Sequence, residues 1–258
     1  MIAELKDSLV KYARKYTSIE TRRRIIRITR WPPIGWVNFG SFKRLRPISS
    51  EWGAERGNPI DRYYIDKYLA ECSTFIRGRV LEIGDDTYTR KFASPQLEQS
   101  DVLHVSEDKP GVTIIGDLTS ANHIPADTFD CILLTQTLQF IYDVPAVIRT
   151  VYRILKPGGC ALVTVPGISQ ISRYDMDRWG EYWRFTTKSI LKLFEVHFPS
   201  ENITVNAFGN VKASVAFLHG IAYEELRKNE LDYFDPDYEL LITVKATKPK
   251  NTDAYSRT

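Results

Sequence analysis

Short apolar runs that alternate with helical segments constrain this chain more than any other feature of its sequence. Each run is too uniformly apolar for a half-exposed strand, which is typical of strands buried on both faces of a parallel sheet. The runs lie at residues 80–83, 102–105, 112–115, 131–135 and 160–165, and two more follow at 203–207 and 240–246. Strands and helices that alternate in this way require right-handed crossover connections. The sequence therefore predicts an open α/β fold.

The first of these runs ends in a tight polar turn. Residues 80–83 are followed by Gly84, Asp85 and Asp86. In open α/β sheets, ligands bind outside the carboxyl ends of the strands. The turn is therefore a candidate ligand site, although an ordinary connection from a strand to a helix would have the same pattern.

The segment VLEIGDDTYT, residues 80–89, resembles the first motif of the class I S-adenosylmethionine-dependent methyltransferases. That motif is a hydrophobic strand followed by E-x-G-x-G-x-G. Glu82 and Gly84 match it, whereas Asp86 and Tyr88 stand where the second and third glycines would fall. Glycine permits a positive φ and a close approach of the backbone to a cofactor. Tyrosine is a poor substitute at a position with positive φ.

Two later segments strengthen the resemblance. Residues 124–135 are similar to the family's P-x-x-x-F-D segment before the fourth strand, and residues 155–159 read Leu-Lys-Pro-Gly-Gly. A helix from Val144 is predicted to end in this second segment, with glycine as a left-handed cap. The resemblance covers about residues 51–248. It implies a Rossmann-like α/β fold with a seven-stranded, mostly parallel sheet whose last strand is antiparallel.

The chain divides into three parts: a basic helical N-terminal extension at 1–50, a methyltransferase domain at 51–248 and a polar tail at 249–258. Residues 1–50 carry 12 Lys and Arg against 3 Asp and Glu. Apolar residues at helical spacing predict two short amphipathic helices there, around residues 5–13 and 25–28. Their basic surface could meet a glycan, a nucleotide-linked substrate, a membrane surface or nucleic acid, although a solvated helix face is the simpler interpretation.

Composition limits the class of protein. The chain is 43% hydrophobic and 26% charged, as in ordinary globular proteins. It has neither an apolar run of about 18 residues nor the pattern of a signal peptide, so a cytoplasmic location is expected. The three cysteines, Cys72, Cys131 and Cys160, are interpreted as buried free thiols. The four histidines form no cluster with them, and no metal site is expected.

The resemblance implies that S-adenosylmethionine is the cofactor. An acid at the tip of the second strand would accept hydrogen bonds from the ribose hydroxyls. Ser106 stands where the family more often has that acid, so Glu107 is the displaced candidate. Asp117 would bond the adenine amino group, unless it only closes an Asx turn. The predicted cofactor-binding residues are Arg62, Tyr63, Glu82, Gly84, Asp85, Asp86, Ser106, Glu107, Asp117, Leu118, Thr135 and Gln136.

Residues 166–186, here called the acceptor loop, are rich in aromatic and hydrogen-bonding side chains. The loop is similar to the D-x-W-R-F-T segment of methyltransferases from bacterial glycan and secondary-metabolite pathways. Asp175 or Asp177 is predicted as the general base, with His104 and His219 as alternatives. The predicted acceptor-binding residues are Tyr174, Trp179, Tyr182, Trp183 and Arg184, although Trp183 and the neighbouring phenylalanine could simply seat the next helix.

The function predicted from the resemblance is O-methylation of a sugar or of a glycosylated small molecule. A carboxylate or amine acceptor is the first alternative. A non-catalytic member of the fold that binds a partner is the second, since it would explain Asp86 and Tyr88. Nucleic acid is not expected as a substrate, because the fourth strand is not followed by an N-P-P-Y or D-P-P-Y motif. The oligomeric state is left open.

Overall fold

The computed structural model of the chain describes residues 17–21, 32, 35–107 and 109–250. The chain falls into two compact units, Met1–Arg46 and Pro47–Thr258. In the first unit, the described part contains a 3-10 helix, Gly40–Phe42. The two amphipathic helices predicted in the N-terminal extension, and the tail at 251–258, lie outside the described residues.

The second unit contains the predicted seven-stranded sheet. Its strands are β1 (Gly78–Ile83), β2 (Leu97–His104), β3 (Ile114–Ile115), β4 (Phe129–Thr135), β5 (Leu155–Pro166), β6 (Ile203–Phe208) and β7 (Leu241–Thr247). Their order is β3-β2-β1-β4-β5-β7-β6. The first five strands pair in parallel, and β7 pairs antiparallel with both β5 and β6. The predicted fold class is confirmed.

Helices cover the sheet. They are α1 (Ile60–Glu71), α2 (Thr87–Phe92), α3 (Val144–Ile154), α4 (Arg173–Met176), α5 (Thr187–Phe194), α6 (Val211–Leu218) and α7 (Lys228–Asp232). In α3, the side chain of Asp143 accepts a hydrogen bond from the Ala146 N–H and caps the helix. Val147 and Val151 are buried one turn apart, and the helix packs into the main core against strands such as β4 and β5.

Helix α1 is anchored to segments far away in the sequence. The hydroxyl of Tyr64 donates to the Leu231 carbonyl, and that of Tyr68 donates to the Val244 carbonyl. The segment before α1 is held in the same way. The Tyr223 N–H donates to the Asn58 carbonyl at 2.8 Å, and Arg56 pairs with Glu225. The start of the second unit is thus bound to residues 222–244.

The predicted end of α3 is wrong. The helix ends at Ile154, and Leu155 is already extended and paired with Phe129 in the sheet. Leu155 is fully buried, so sheet pairing outweighs helix continuation here. Gly158 does have a positive φ of 82°, but it lies inside β5, where its N–H donates to the Lys248 carbonyl.

Two further boundaries differ from the prediction. The sequence between the last two strands predicts a single helix at about 211–229. The chain instead turns at Gly220, with φ of 66°, and α6 and α7 are separate. An alanine Cβ at Gly220 would overlap the Ser49 carbonyl oxygen, so close packing against residue 49 fixes this turn. Strand β3 has only two residues. Thr113 before it is tied to β2 by its N–H, which donates to the Val102 carbonyl, and by its hydroxyl, which accepts from the Val102 N–H and donates to Asp101.

Cys72, Cys131 and Cys160 are free and buried, as predicted. Among the described residues, no helix is long and apolar enough to cross a membrane. Over the same residues, no group of three or more His, Cys, Asp or Glu side chains is placed to hold a metal ion.

Candidate active site

A cleft of about 1440 Å³ lies at the carboxyl ends of β1, β2 and β4 in the second unit. The connections from β1 to β2 and from β3 to β4 leave the sheet in opposite directions around β1, so this is the switch point where α/β sheets bind ligands. Predicted residues that line the cleft are Arg62, Glu82, Gly84, Asp85, Asp117, Leu118, Thr135, Gln136, Asp175, Trp179 and Tyr182. Predicted residues outside its lining are Tyr63, Asp86, Ser106, Glu107, Tyr174, Asp177, Trp183 and Arg184. The role of each residue stays a prediction.

The turn after β1 accommodates its unusual residues without strain. Gly84 has φ of 92°, the left-handed conformation that glycine allows. Asp86 has φ of −109°, and Tyr88 lies within α2, where no residue has a positive φ. The second and third motif positions therefore do not need glycine here. A Cβ on Gly84 would meet only the Lys109 Nζ within 4 Å, at 3.6 Å, so a ligand can approach the backbone.

Glu82 is the buried acid of the motif, with 1% of its surface exposed. Its two carboxylate oxygens accept hydrogen bonds from the N–H groups of Tyr88, at 3.1 Å, and Thr89, at 2.7 Å. These N–H groups belong to the first turn of α2, which has no helical partners for them. Burial raises the pKa of Glu82 to about 7. The Glu82 side chain thus holds the first turn of α2 against the end of β1 and so fixes the turn between them.

Helix α1 closes one side of the cleft through Arg62. The guanidinium donates to the Tyr88 hydroxyl at 2.8 Å, which joins α1 to α2 beside the Gly84 turn. Tyr63 faces away from the cleft. Its hydroxyl donates to Asp232 at 3.0 Å, and its ring lies 5.5 Å from that of Tyr223.

At the tip of β2, His104 rather than Ser106 or Glu107 lines the cleft. The Nδ1 atom of His104 accepts a hydrogen bond from the Ser106 N–H at 3.1 Å. Its ring also makes an edge contact with Trp179 of the acceptor loop, with centroids 6.1 Å apart. The sequence could have identified His104 as a lining residue, because it is polar and is the last residue of β2. The other alternative base, His219, is not among the lining residues.

After β3, Asp117 closes an Asx turn, because its Oδ1 accepts from the Thr119 N–H at 2.8 Å. Within the described chain, its second oxygen has no hydrogen-bond partner, and it lines the cleft. Leu118 beside it is buried, with 3% exposed. Both interpretations of Asp117 are compatible with this geometry, since one oxygen closes the turn while the residue also lines the cleft.

The segment after β4 holds Gln136, which the sequence predicted, and Gln139, which it did not. Gln136 has φ of 48°, an uncommon conformation for a residue with a side chain, and its N–H donates to the Thr164 carbonyl. Its carboxamide oxygen accepts from Nε2 of Gln139 at 3.0 Å. Gln139 is only 3% exposed and lines the cleft, and its own Oε1 has no hydrogen-bond partner. Strain and an unpaired buried acceptor both mark ligand sites.

Of the two candidate bases in the acceptor loop, only one lines the cleft. Asp175 lines the cleft, and its Oδ2 accepts from the Ser172 hydroxyl at 2.6 Å. Asp177 does not line it, and its exposed carboxylate lies 3.5 Å from Arg173. Trp179 and Tyr182 line the same cleft, and the Tyr182 N–H donates to the Gln139 carbonyl.

Two predicted acceptor residues instead hold the loop in place. The Trp183 Nε1–H donates to the Ile141 carbonyl at 3.1 Å, and the ring stacks on Tyr142 with centroids 5.9 Å apart. Arg184 donates to the Gln170 carbonyl and pairs with Glu181 at 2.7 Å. Tyr174 does not line the cleft. Its ring lies under the guanidinium of Arg178, another residue of the acceptor loop.

Comparison with known proteins defines the family. A family model described as a methyltransferase domain matches residues 53–197, more than half of the chain. The chain belongs to the class I S-adenosylmethionine-dependent methyltransferases. A structure titled as an S-adenosylmethionine-dependent methyltransferase from Mesorhizobium loti has a TM-score of 0.50 and 19% identity, and the match covers 73% of this chain and 100% of that one. It supports the fold alone.

Two curated relatives share the family. The chain is 30% identical over 144 residues to the ubiquinone/menaquinone biosynthesis C-methyltransferase UbiE of Haemophilus ducreyi, which covers 48% of this chain and 54% of the relative. It is 27% identical over 150 residues to the protein of that name from Pasteurella multocida, which covers 50% and 54%. The chain thus spans about half the length of the curated relatives it matches.

S-adenosylmethionine is the cofactor of this family, and the residues of the cleft fit such a molecule. The backbone at Gly84 is open to close approach, and Asp117 presents one unpaired carboxylate oxygen. Gln139 adds a buried acceptor without a partner. All three lie in one cleft with Arg62, whose guanidinium is already held by Tyr88.

Proposed function

We propose that this chain is an S-adenosylmethionine-dependent O-methyltransferase that acts on a hydroxyl of a sugar or of a glycosylated small molecule. The observation that carries the proposal is that one cleft brings together two sets of residues. The cofactor residues come from the strand ends, and Asp175 and two aromatic rings come from the acceptor loop. Positioning two substrates against each other can supply much of the acceleration of a transfer reaction.

In this proposal, the strand ends hold the cofactor. The Gly84 backbone would lie against it, Asp117 would accept from the adenine amino group, and Arg62 would line the same cleft. When bound, the cofactor supplies an electrophilic methyl group on a sulfonium. The unpaired Oε1 of Gln139 accepts a hydrogen bond from the bound ligand. This removes the cost of about 1–3 kcal/mol that a buried acceptor without a partner carries.

The acceptor loop binds the second substrate. Trp179 and Tyr182 offer flat apolar faces of the kind that stack on sugar rings. Asp175 removes the hydroxyl proton as the new bond forms, and Ser172 holds its carboxylate by a hydrogen bond to Oδ2. Its Oδ1 has no hydrogen-bond partner in the described part of the chain, so it is free to receive that proton. Asp177 has no part in this arrangement, since it does not line the cleft.

A second candidate is methyl transfer to the carbon of an electron-rich ring. The two curated relatives favour it, since both are named as C-methyltransferases. The aromatic side of the cleft would also suit a planar acceptor. The two candidates differ in the acceptors they use, and comparing phenolic rings with glycosides in a methyl-transfer assay separates them.

Cofactor binding is the first test of the proposal. Isothermal titration should show that the chain binds S-adenosylhomocysteine with a Kd near 1 μM, about −8 kcal/mol. Asp117→Ala should weaken this binding about tenfold, because the carboxylate oxygen that faces the cleft is lost. Asp177→Ala, which removes a carboxylate outside the cleft, is the matched control and should bind as the wild type does. Absence of heat and of a thermal shift with both S-adenosylmethionine and S-adenosylhomocysteine would sink the enzyme proposal and favour a partner-binding protein.

The general base has its own test in the same loop. Asp175→Asn should lower the rate of methyl transfer to a glycoside acceptor by about 10²–10⁴-fold, the usual contribution of a positioned base. Its affinity for S-adenosylhomocysteine should stay within about twofold of wild type. Asp177→Asn is the matched control. Equal rates for both variants would show that Asp175 does not take the proton.

A further inference from the structure

The acceptor loop carries three arginines, and only one of them makes no ion pair with a carboxylate of the described residues. Arg173 lies 3.5 Å from Asp177, and Arg184 lies 2.7 Å from Glu181. Neither of these arginines lines the cleft. Arg178 does line it and makes no ion pair with any described carboxylate. The two arginines outside the cleft lining therefore have carboxylate partners, whereas Arg178, which lines the cleft, has none among the described residues.

Arg178 is also held in a defined plane. Its guanidinium carbon lies 3.4 Å from the centroid of the Tyr174 ring, and one NH1 hydrogen bond goes to the Tyr174 carbonyl at 2.9 Å. Stacking and this single bond restrict the side chain but use only one of its five N–H donors. A guanidinium held in this way is preorganised for an anion with several acceptor oxygens, since less entropy is lost on binding.

Arg149 provides a second unpaired cation in the same cleft. It follows Asp143 and Ala146 along one face of α3, and all three line the cleft. Tyr142, just before this helix, contacts Tyr182 of the acceptor loop with ring centroids 5.5 Å apart. This face of α3 therefore continues the wall formed by the acceptor loop. Like Arg178, Arg149 makes no ion pair with the carboxylates that the structure describes.

The other basic residues of the cleft have partners. Arg62 donates to Tyr88, Lys91 lies 2.7 Å from Asp66, and Lys109 lies 3.6 Å from Asp85. All of these belong to the side formed by α1, α2 and the turn after β1. Arg62 has no ion pair with a described carboxylate either, but its guanidinium already donates to the Tyr88 hydroxyl. On the side built by the acceptor loop and α3, both lining arginines lack an ion pair with the described carboxylates, so this side favours an anion.

We propose that the methyl acceptor carries a phosphate group, as a sugar phosphate or a nucleotide-linked sugar, and that Arg178 and Arg149 bind this phosphate. Arg178 donates its free N–H groups to the phosphate oxygens, and Arg149 adds the second charge. Trp179 and Tyr182 contact the sugar or the base. This inference rests on the proposed function, because it names the class of acceptor for the same cleft.

The test is isothermal titration of the full chain, with and without saturating S-adenosylhomocysteine. The probes are pyrophosphate, glucose 1-phosphate, UDP-glucose and methyl α-glucoside. The phosphate-containing probes should bind at least tenfold more tightly than the methyl glucoside, and their affinity should fall with added salt. A preference for glucose 1-phosphate indicates a sugar phosphate as acceptor, and a preference for UDP-glucose indicates a nucleotide-linked sugar.

Variants distinguish a specific phosphate-binding site from a general attraction of anions to positively charged residues. Arg178→Gln should weaken the phosphate-containing probes about tenfold and leave S-adenosylhomocysteine within twofold, and Arg149→Gln should act in the same direction. Arg173→Gln is the matched control, because it removes an equal charge from the same loop outside the cleft. The inference is overturned if all three variants weaken the probes equally, or if the phosphates bind no better than methyl α-glucoside. If S-adenosylhomocysteine does not bind while the phosphates still depend on Arg178, the proposed function fails and the phosphate site stands.

Discussion

Replacing Gly167 by alanine should lower the free energy of unfolding by about 3 kcal/mol, the upper end of the range for overpacking. An added Cβ would overlap the backbone carbonyl oxygen of Glu239, which cannot rotate away as a side chain would. Two hydrogen bonds hold the strands together at this point, from the Gly167 N–H to Leu240 at 3.0 Å and from the Ile168 N–H to Glu239 at 2.9 Å. The alanine must therefore separate the end of β5 from the start of β7.

Urea denaturation of wild type and variant measures this loss. Gly158→Ala is the control, because Gly158 has φ of 82° but only the flexible Lys250 side chain lies within 4 Å of an added Cβ, at 3.2 Å. Its cost should be about 1–2 kcal/mol, which is the cost of a left-handed backbone for a residue that has a Cβ. The steric explanation fails if Gly167→Ala is no more destabilising than Gly158→Ala. Since Gly167 begins the acceptor loop, methyl transfer should fall more than the affinity for S-adenosylhomocysteine.

The second large effect is a pH dependence of stability that comes from Glu82. Burial raises the pKa of its carboxyl to about 7 in the folded chain, from 4.5 for the free group. Between these two values, the folded state holds more protons than the unfolded state, so stability must fall as pH rises through this window. Integrated over the window, the loss is about 3 kcal/mol.

Glu82→Gln removes this titration. The amide cannot accept from both the Tyr88 and Thr89 N–H groups as the carboxylate does, so the variant carries an offset that is the same at every pH. The informative quantity is the change in the free energy of unfolding between pH 5 and pH 7.5, measured by urea denaturation for both proteins. Wild type should lose about 2 kcal/mol more than the variant over this interval, because part of the titration lies below pH 5 and above pH 7.5. Glu201→Gln, at an exposed carboxyl, is the control, and equal pH dependence in wild type and Glu82→Gln would rule out Glu82 as the source.

The alternation of buried strands with helices and the position of the cleft could be predicted from the sequence, because apolar runs and glycine turns depend on local backbone geometry. The direction of individual side chains could not. Arg62 and Tyr63 are neighbours in α1, and successive helical residues point about 100° apart. Arg62 therefore faces the cleft while Tyr63 faces Asp232. Asp175 lies in α4 and Asp177 caps its end two residues later, so their side chains point in different directions and only Asp175 lines the cleft.

Other misjudged residues depended on contacts between distant segments. Trp183 and Arg184 have the side chains expected of a sugar site, but backbone carbonyls of other loops use their donors. Gln139 attracts no notice in a sequence, since its importance lies in an acceptor atom that lacks a partner. Tyr88 stands where the family motif has a glycine, but it fits this position because α2 begins at Thr87 and no positive φ is needed there. Sequence patterns predict which elements form, and only packing decides which side chains are left for a ligand.

The anchoring of α1 has a consequence for the synthesis of the chain. Asn58 and Arg56 are bound to residues 223 and 225, and Tyr64 and Tyr68 reach Leu231 and Val244, more than 160 positions later. Contacts of such sequence separation form late, because the chain must first close a long loop. Strands β1 to β5 can leave the ribosome and pair before these partners exist. The wall of the cleft that carries Arg62 is therefore completed last, when the final strand emerges.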